Sequence, residues 1–311
     1  MNLAPQIPIP EKEPEIAKIP EVPMAGLDTL WLQIGGTVCN LTCTHCFISC
    51  TPQNDSHPLM TLAQVKNHLE ESKHLGIQDY YITGGEVFLN PELVEIYEAI
   101  LEYGPCTSLT NGMLISKEKA QALAELQARS KNKLLFRVSL DSLDEQENDA
   151  IRGRNCFKLA LRGMRYLAEA GFPTHLTMVR SWDEDDDPEM EAKALAFMRE
   201  HNVPNPQVKF LPGFLMGELA VNEREYHPNE RVTEKCFETF PITNLQCANS
   251  RMVTAKGVYV CPILIDSPDA NMGRTLEQSM VAYPLRHGAC YTCYLYGAIC
   301  TNPSSGAQTG T

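Results

Sequence analysis

The chain has 311 residues, 43% of them hydrophobic and 21% charged, with a formal net charge of −13. That length buries a full core as one large domain plus a small one, and the acidic balance argues against nucleic acid, which needs a basic face. No apolar run reaches membrane-spanning length, the first residues lack a secretory signal, and twelve cysteines without an export signal read as reduced thiols and metal ligands in a cytoplasmic protein.

Residues 1–28 carry Pro5, Pro8, Pro10, Pro14, Pro20 and Pro23 and read as an extended leader, because proline blocks both helix and ladder. Leu30 to Ile34 is a short apolar strand ending in Gly35-Gly36. Thr61 with Gln64 forms a capping box for a helix with Leu62, Val65 and Leu69 on one face, stopped at Gly76. Tyr80 to Thr83 is a second strand, and Asn90 caps the next helix, with Pro91 in its first turn and Gly104 at its end. Strands follow at Ser108–Thr110, Leu134–Leu140, His175–Val179 and Val208–Leu211, separated by a helix capped by Ser116, one ending near Gly171 and one over 188–201. Strands alternating with helices of this length imply a parallel sheet with right-handed crossovers. Six such units fit an incomplete (βα)6 barrel, whose chemistry belongs at the C-terminal ends of the strands.

The functional signals fall at those ends. Cys39, Cys43 and Cys46 follow the first strand in the spacing Cys-x3-Cys-x2-Cys, with His45 just before the last thiol. A structural zinc site wants four ligands, whereas three thiolates on a cubane iron–sulfur cluster leave one iron open. Gly84-Gly85-Glu86 follows the second strand; paired glycines let backbone approach a ligand, and a carboxylate can hold an ammonium group. Asn111 follows the third strand, Ser139 ends the fourth, and Arg152 lies just beyond, in Ile151-Arg152-Gly153.

Together these motifs resemble the radical S-adenosylmethionine enzymes over residues 29–213. The resemblance implies that Cys39, Cys43 and Cys46 hold a [4Fe–4S] cluster and that Gly84, Gly85 and Glu86 receive the methionine amino group of S-adenosylmethionine. Val87 departs from the proline common after that glutamate. Asn111, Ser139 and Arg152 carry over as contacts to ribose and carboxylate, although a turn residue and a helix-surface ion pair are the plain readings of Asn111 and Arg152. In Phe210-Leu211-Pro212-Gly213, Leu211 offers an apolar edge to adenine or simply packs in the core.

A second set of thiols follows: Cys247, then Gly257 and Cys261, then Cys290-x2-Cys293 and Cys300. Spacing alone would suit zinc. In context it is similar to the Twitch or SPASM extension, which implies one auxiliary [4Fe–4S] cluster on Cys247, Cys261, Cys290 and Cys293, with Cys300 able to replace either of the last two. The expected organisation is a leader at 1–28, a partial barrel at 29–213, a small C-terminal iron–sulfur domain at 214–303 and a disordered tail at 304–311. Cys50, Cys106, Cys156, Cys236 and Cys300 remain as inert thiols or as hydrogen-atom donors, and Asp183–Asp187 is a solvated run or a lure for a cationic substrate.

The resemblance implies reductive cleavage of S-adenosylmethionine to a 5′-deoxyadenosyl radical that abstracts hydrogen from a substrate. A flavodoxin or ferredoxin would supply the electron. Only 28 residues precede the first strand, which favours a small-molecule substrate, oxidised rather than epimerised or rearranged, over a peptide. A peptide-modifying maturase is the alternative, and a zinc-stabilised, non-catalytic binding protein the distant one.

Overall fold

The computed structural model describes residue 3 and residues 18–296, so most of the leader, Cys300 and the tail at 304–311 lie outside the described residues. The short strand β1 (Glu21–Val22) pairs antiparallel with β11 (Tyr283–Pro284), clasping the end of the leader to the C-terminal segment. Six strands then run parallel, in chain order across one sheet: β2 (Thr29–Leu32), β3 (Asp79–Ile82), β4 (Cys106–Thr110), β5 (Leu134–Ser139), β6 (Thr174–Val179) and β7 (Gln207–Leu211). Between them lie α1 (Leu62–Ser72), α2 (Leu93–Leu101), α3 (Lys117–Arg129), α4 (Glu145–Arg152), α5 (Cys156–Glu169) and α6 (Asp187–Glu200). This is the expected partial barrel.

Period-two alternation builds it. Leu30, Leu32, Ile82, Phe136, Val138 and Leu176 pack outward against the helices, while Trp31 and Tyr81 face inward and stack at 4.4 Å. Each such apolar side chain contributes about 1.5–3 kcal/mol when fully buried.

Two helix boundaries differ from expectation. Helix α2 starts at Leu93, after a turn at Pro91–Glu92; Asn90 still accepts from the Glu92 N–H at 3.0 Å through its side-chain oxygen, while its amide NH2 donates to the Ile34 and Met60 carbonyls at 2.9 and 2.8 Å. The single helix expected after β5 is two, α4 and α5, broken where Gly153 takes φ +117°.

The C-terminal segment adds to the same sheet. After the short α7 (Gly217–Asn222), strand β8 (Ser250–Thr254) joins the free edge of β2 in parallel, then β9 (Gly257–Tyr259) and β10 (Asn271–Gly273) extend the same sheet antiparallel, before α8 (Gly288–Tyr296). Strands β8, β9 and β10 therefore continue the barrel sheet to nine strands, while β11 pairs with β1 alone.

Candidate active site

Cys39, Cys43 and Cys46 leave the end of β2 on a loop folded back on itself: the Cys39 N–H donates to the Thr51 carbonyl and the Cys46 N–H to the Cys43 carbonyl, at 3.1 and 3.2 Å. All three thiols line a cavity of about 230 Å³ at the C-terminal ends of the strands. His45, Gly84, Gly85, Asn111, Ser139, Arg152 and Leu211 line it as well. Sequence reasoning therefore brings ten of its eleven barrel candidates to one wall or another of a single chamber; Glu86 is the exception.

The thiols are not alike. Burial pushes Cys39 up to about 11 and Cys43 up to about 12. Cys46 is brought down to about 6, because the Cys50 thiol donates to its sulfur and the Cys50 N–H lies 3.2 Å from it. Among the described residues no three His, Cys, Asp or Glu side chains converge closely enough to hold a single metal ion. Three soft sulfurs around a chamber of this size fit a cluster better than one tetrahedral ion.

Gly84 and Gly85 are explained by the chain itself. A Cβ on Gly84, whose φ is +150°, would sit 2.5 Å from Gly35 Cα, and one on Gly85 would sit 2.2 Å from the Val38 carbonyl oxygen. The Gly85 and Glu86 N–H groups donate to the Gly36 and Val38 carbonyls at 2.8 and 3.0 Å. The glycines thus let the cysteine loop lie directly on the end of β3.

Glu86 corrects an expectation. Its carboxylate is fully buried and turned away from the chamber, accepting from Phe88 N–H at 3.0 Å, Thr110 Oγ1 at 2.7 Å and Asn111 N–H at 2.8 Å. It ties the end of β3 to the end of β4, and burial raises its pKa in spite of those donors. The Asn111 side chain turns to the cysteine loop, donating to Asn40 Oδ1 at 2.8 Å and lying 3.8 Å from Cys39 Sγ.

Asp141, two residues beyond Ser139, is a residue that the sequence reading passed over. Its Oδ2 contacts His45 Nε2 at 2.8 Å and Arg152 Nε at 2.6 Å, and its Oδ1 accepts from Val179 N–H at 2.9 Å. Burial opposes its charge, yet Arg152 and His45 outweigh burial and hold the carboxyl well below the usual range. Arg152 is therefore in an ion pair, as its plain reading had it, but a buried one facing the chamber.

In the C-terminal segment, Cys247, Cys261, Cys290 and Cys293 line one small apolar cavity of about 30 Å³. Beside them Arg251 is fully buried, its guanidinium donating to the carbonyls of Cys247, Ser250, Ser279 and Val281 at 2.7–3.0 Å. Cys236 instead sits against Thr233, 3.6 Å from its hydroxyl. Cys106 is enclosed in the outer core and Cys156 at the start of α5, whereas Cys50 faces the chamber. In the acidic run, Asp187 is taken by Arg180 and by Trp182 Nε1, the latter at 2.8 Å, and the remainder is mostly exposed, which is the plain reading of that segment.

Fold and motifs define a class before any relative is considered: a parallel partial barrel with three thiols at the mouth. The Radical SAM superfamily model matches residues 34–195, more than half of the chain, and the chain belongs to that superfamily. Its members are enzymes that use a [4Fe–4S] cluster and S-adenosylmethionine. The antilisterial bacteriocin subtilosin biosynthesis protein AlbA of Bacillus subtilis is 30% identical over 142 residues, 45% of this chain and 30% of that protein. The chain thus spans less than a third of that relative. The GTP 3′,8-cyclase of Listeria monocytogenes is 27% identical over 238 residues, covering 71% of this chain and 67% of that protein. In structure the chain resembles Streptococcus suis SuiB bound to the precursor peptide SuiA, with a TM-score of 0.62, 16% identity, and coverage of 84% of this chain and 66% of that one; at that identity the likeness shows the fold. Among the described residues no helix is long and apolar enough to cross a membrane.

Proposed function

We propose that this chain is a radical S-adenosylmethionine enzyme that modifies a peptide, with Cys39, Cys43 and Cys46 as the ligands of its cofactor-binding cluster. The observation that carries the cluster assignment is the convergence of those three thiols on one chamber with Ser139, Asn111 and Arg152. Bound at those thiols, the cluster and S-adenosylmethionine would supply radical hydrogen-abstraction chemistry, driven by one electron from a reductant. The protein's own residues hold and enclose. Asp141 fixes His45 and Arg152, and so the loop that carries Cys43 and Cys46. Gly84 and Gly85 offer backbone at the chamber wall; Ser139 and Arg152 present a hydroxyl and a guanidinium; Leu211 presents apolar surface. The apolar residues of the wall, Trp31, Leu109 and Met252 among them, exclude water from the reacting atoms.

The peptide reading replaces the small-molecule expectation because AlbA is named for bacteriocin biosynthesis and SuiB was seen with a precursor peptide. The cyclase relative keeps a small molecule as the second reading. Cys247, Cys261, Cys290 and Cys293 form our proposed auxiliary cluster site, and Arg251 supplies the cation beside it. A buried guanidinium that meets only carbonyls is costly, and an anionic cluster next to it would offset that cost.

Anaerobic reconstitution tests this. The protein should bind about eight irons as two cubanes, and changing Cys39, Cys43 and Cys46 together to Ala should remove about half of that iron and all cleavage of S-adenosylmethionine. Full iron retention in the triple variant rejects the assignment. A mass change in a peptide encoded beside the gene supports the peptide reading, and turnover of a small metabolite alone rejects it.

A further inference from the structure

Two polar side chains that belong to none of the motifs above line the small cavity of Cys247, Cys261, Cys290 and Cys293: Tyr283 and Gln246. We propose that the Tyr283 hydroxyl and the Gln246 amide donate hydrogen bonds to the sulfurs of the auxiliary cluster and thereby raise its reduction potential. This rests on the reading above, which puts a cluster on those four thiols.

The two donors come from separate parts of the chain. Tyr283 lies on β11 and pairs with Val22 of β1, so the clasp on the leader fixes where its ring starts. Gln246 immediately precedes Cys247 in the short helical turn Gln246–Ala248, and its carbonyl accepts from Ser250 Oγ at 2.9 Å. Tyr283 is 3% exposed and Gln246 5%.

Each of them has a donor left over. Among the described residues, the Tyr283 hydroxyl and the Gln246 amide nitrogen are buried with no hydrogen-bond partner. Buried polar atoms are nearly always paired, so two exceptions on the wall of one cavity point to a ligand. Apart from these two residues and the four cysteines, every side chain lining the cavity is aliphatic, so sulfur is what the site offers the donors. Burial first, then Cys290, Asp269 and Cys261, raise the Tyr283 pKa, which sets its hydroxyl near two of the four thiols and keeps it protonated.

The chemistry fixes the sign. A phenol and a primary amide both donate. One-electron reduction adds negative charge to a cluster, and O–H or N–H dipoles on its sulfurs favour the more negative form. The Arg251 guanidinium beside Cys247 acts in the same direction. Ile263 borders both this cavity and the reaction chamber, so a site of raised potential stands one side chain away from the chamber.

The test uses the full chain carrying Cys39→Ala, Cys43→Ala and Cys46→Ala, in which only the auxiliary site can load. Iron content and the midpoint of a titanium(III) citrate titration are read with Tyr283→Phe and, separately, Gln246→Met added. Each should make reduction about tenfold less favourable, roughly 59 mV lower for one electron, with about four irons still bound. A change under threefold in either variant, or a rise in potential, overturns the hydrogen bonds. The iron-free chains are also unfolded in denaturant. There Tyr283→Phe should be no less stable than its parent, because the hydroxyl has no partner to lose; a clear loss makes the phenol a structural group and overturns the proposal. A variant that keeps that stability yet sheds iron supports the contact, since only its loaded state has lost a bond. The same substitutions in the wild-type holoenzyme, with S-adenosylmethionine bound, repeat the titration with both clusters present. Absence of iron from the parent chain instead rejects the auxiliary site itself.

Discussion

Asp141 Oδ2 lies 2.8 Å from His45 Nε2, so a carboxylate at the end of β5 reaches across the barrel mouth and grips the loop that begins at the end of β2. The same oxygen meets Arg152 at 2.6 Å on α4. One buried acid thereby couples the cysteine loop to the helix after β5.

Asp141→Asn should be strongly destabilising. Removing one partner of a buried ion pair costs about 3–5 kcal/mol, mostly because it leaves the other charge uncompensated, and Arg152 would be left in that position. Denaturant unfolding of the variant measures the loss, and a change below 1 kcal/mol would mean that the contact carries little.

Glu86→Gln should cost stability. Phe88 N–H, Thr110 Oγ1 and Asn111 N–H all donate to this carboxylate, and the amide NH2 of Gln would face a donor with a donor. The expected cost is about 1–3 kcal/mol for a buried group left unsatisfied. Weaker S-adenosylmethionine binding with unchanged folding stability would instead restore a direct contact between Glu86 and the cofactor.

Gly85→Ala and Gly76→Ala should behave oppositely with respect to iron. A Cβ at Gly85 meets the Val38 carbonyl at 2.2 Å and would push the cysteine loop off β3, whereas a Cβ at Gly76 meets nothing within 4 Å. Gly76 has φ +78°, so alanine there should cost about 1–2 kcal/mol of backbone strain and leave iron content unchanged. Equal iron incorporation in the two variants would argue against the tight seat at Gly85.

His175 gives stability a pH dependence of known sign. Burial, with Arg137 and Lys209 nearby, lowers its folded-state pKa to about 4. In the unfolded chain it titrates near 6.5. The unfolded state therefore binds the proton first as pH falls, and the contribution is present above about pH 6.5 and lost on the way down to the folded value. By pH 5 the loss should be about 2 kcal/mol. His175→Gln should flatten that part of the curve, and an unchanged slope between pH 7 and pH 5 would exclude this histidine as its source.

Arg251→Met should unload one cluster. The substitution removes the donor to four buried carbonyls and the cation beside Cys247 and Cys261. Iron per chain is expected to fall by about half, from two cubanes to one, while the signal of the S-adenosylmethionine-bound cluster persists. Retention of all the iron would show that the guanidinium serves folding alone.

The barrel was legible in the sequence because it rests on local patterns. Apolar runs at Leu30–Leu32 and Leu134–Val138, the Thr61–Gln64 capping box and a stop near Gly76 each act within a few residues, and each appears nearly where expected. The three-thiol spacing is likewise local, so the chemistry of the mouth could be read from eight residues. Arg137 and Lys209 also left a local trace, since each shares the period-two face of Ser139 or Leu211, and a charged residue on that face signals a polar interior.

Contacts that close over long separations were decided only by the tertiary structure. Nothing near Glu86 in sequence reveals that Thr110 and Asn111, on the next strand, use up its carboxylate. Nothing near Asp141 reveals His45, and nothing near Ser250 reveals that β8 completes the sheet on the free edge of β2. Helix caps and strand alternation follow from the chain's own neighbours. The direction of a buried carboxylate follows from whichever donors the assembled fold brings within 3 Å, because an unsatisfied charge there costs more than the local chain can repay.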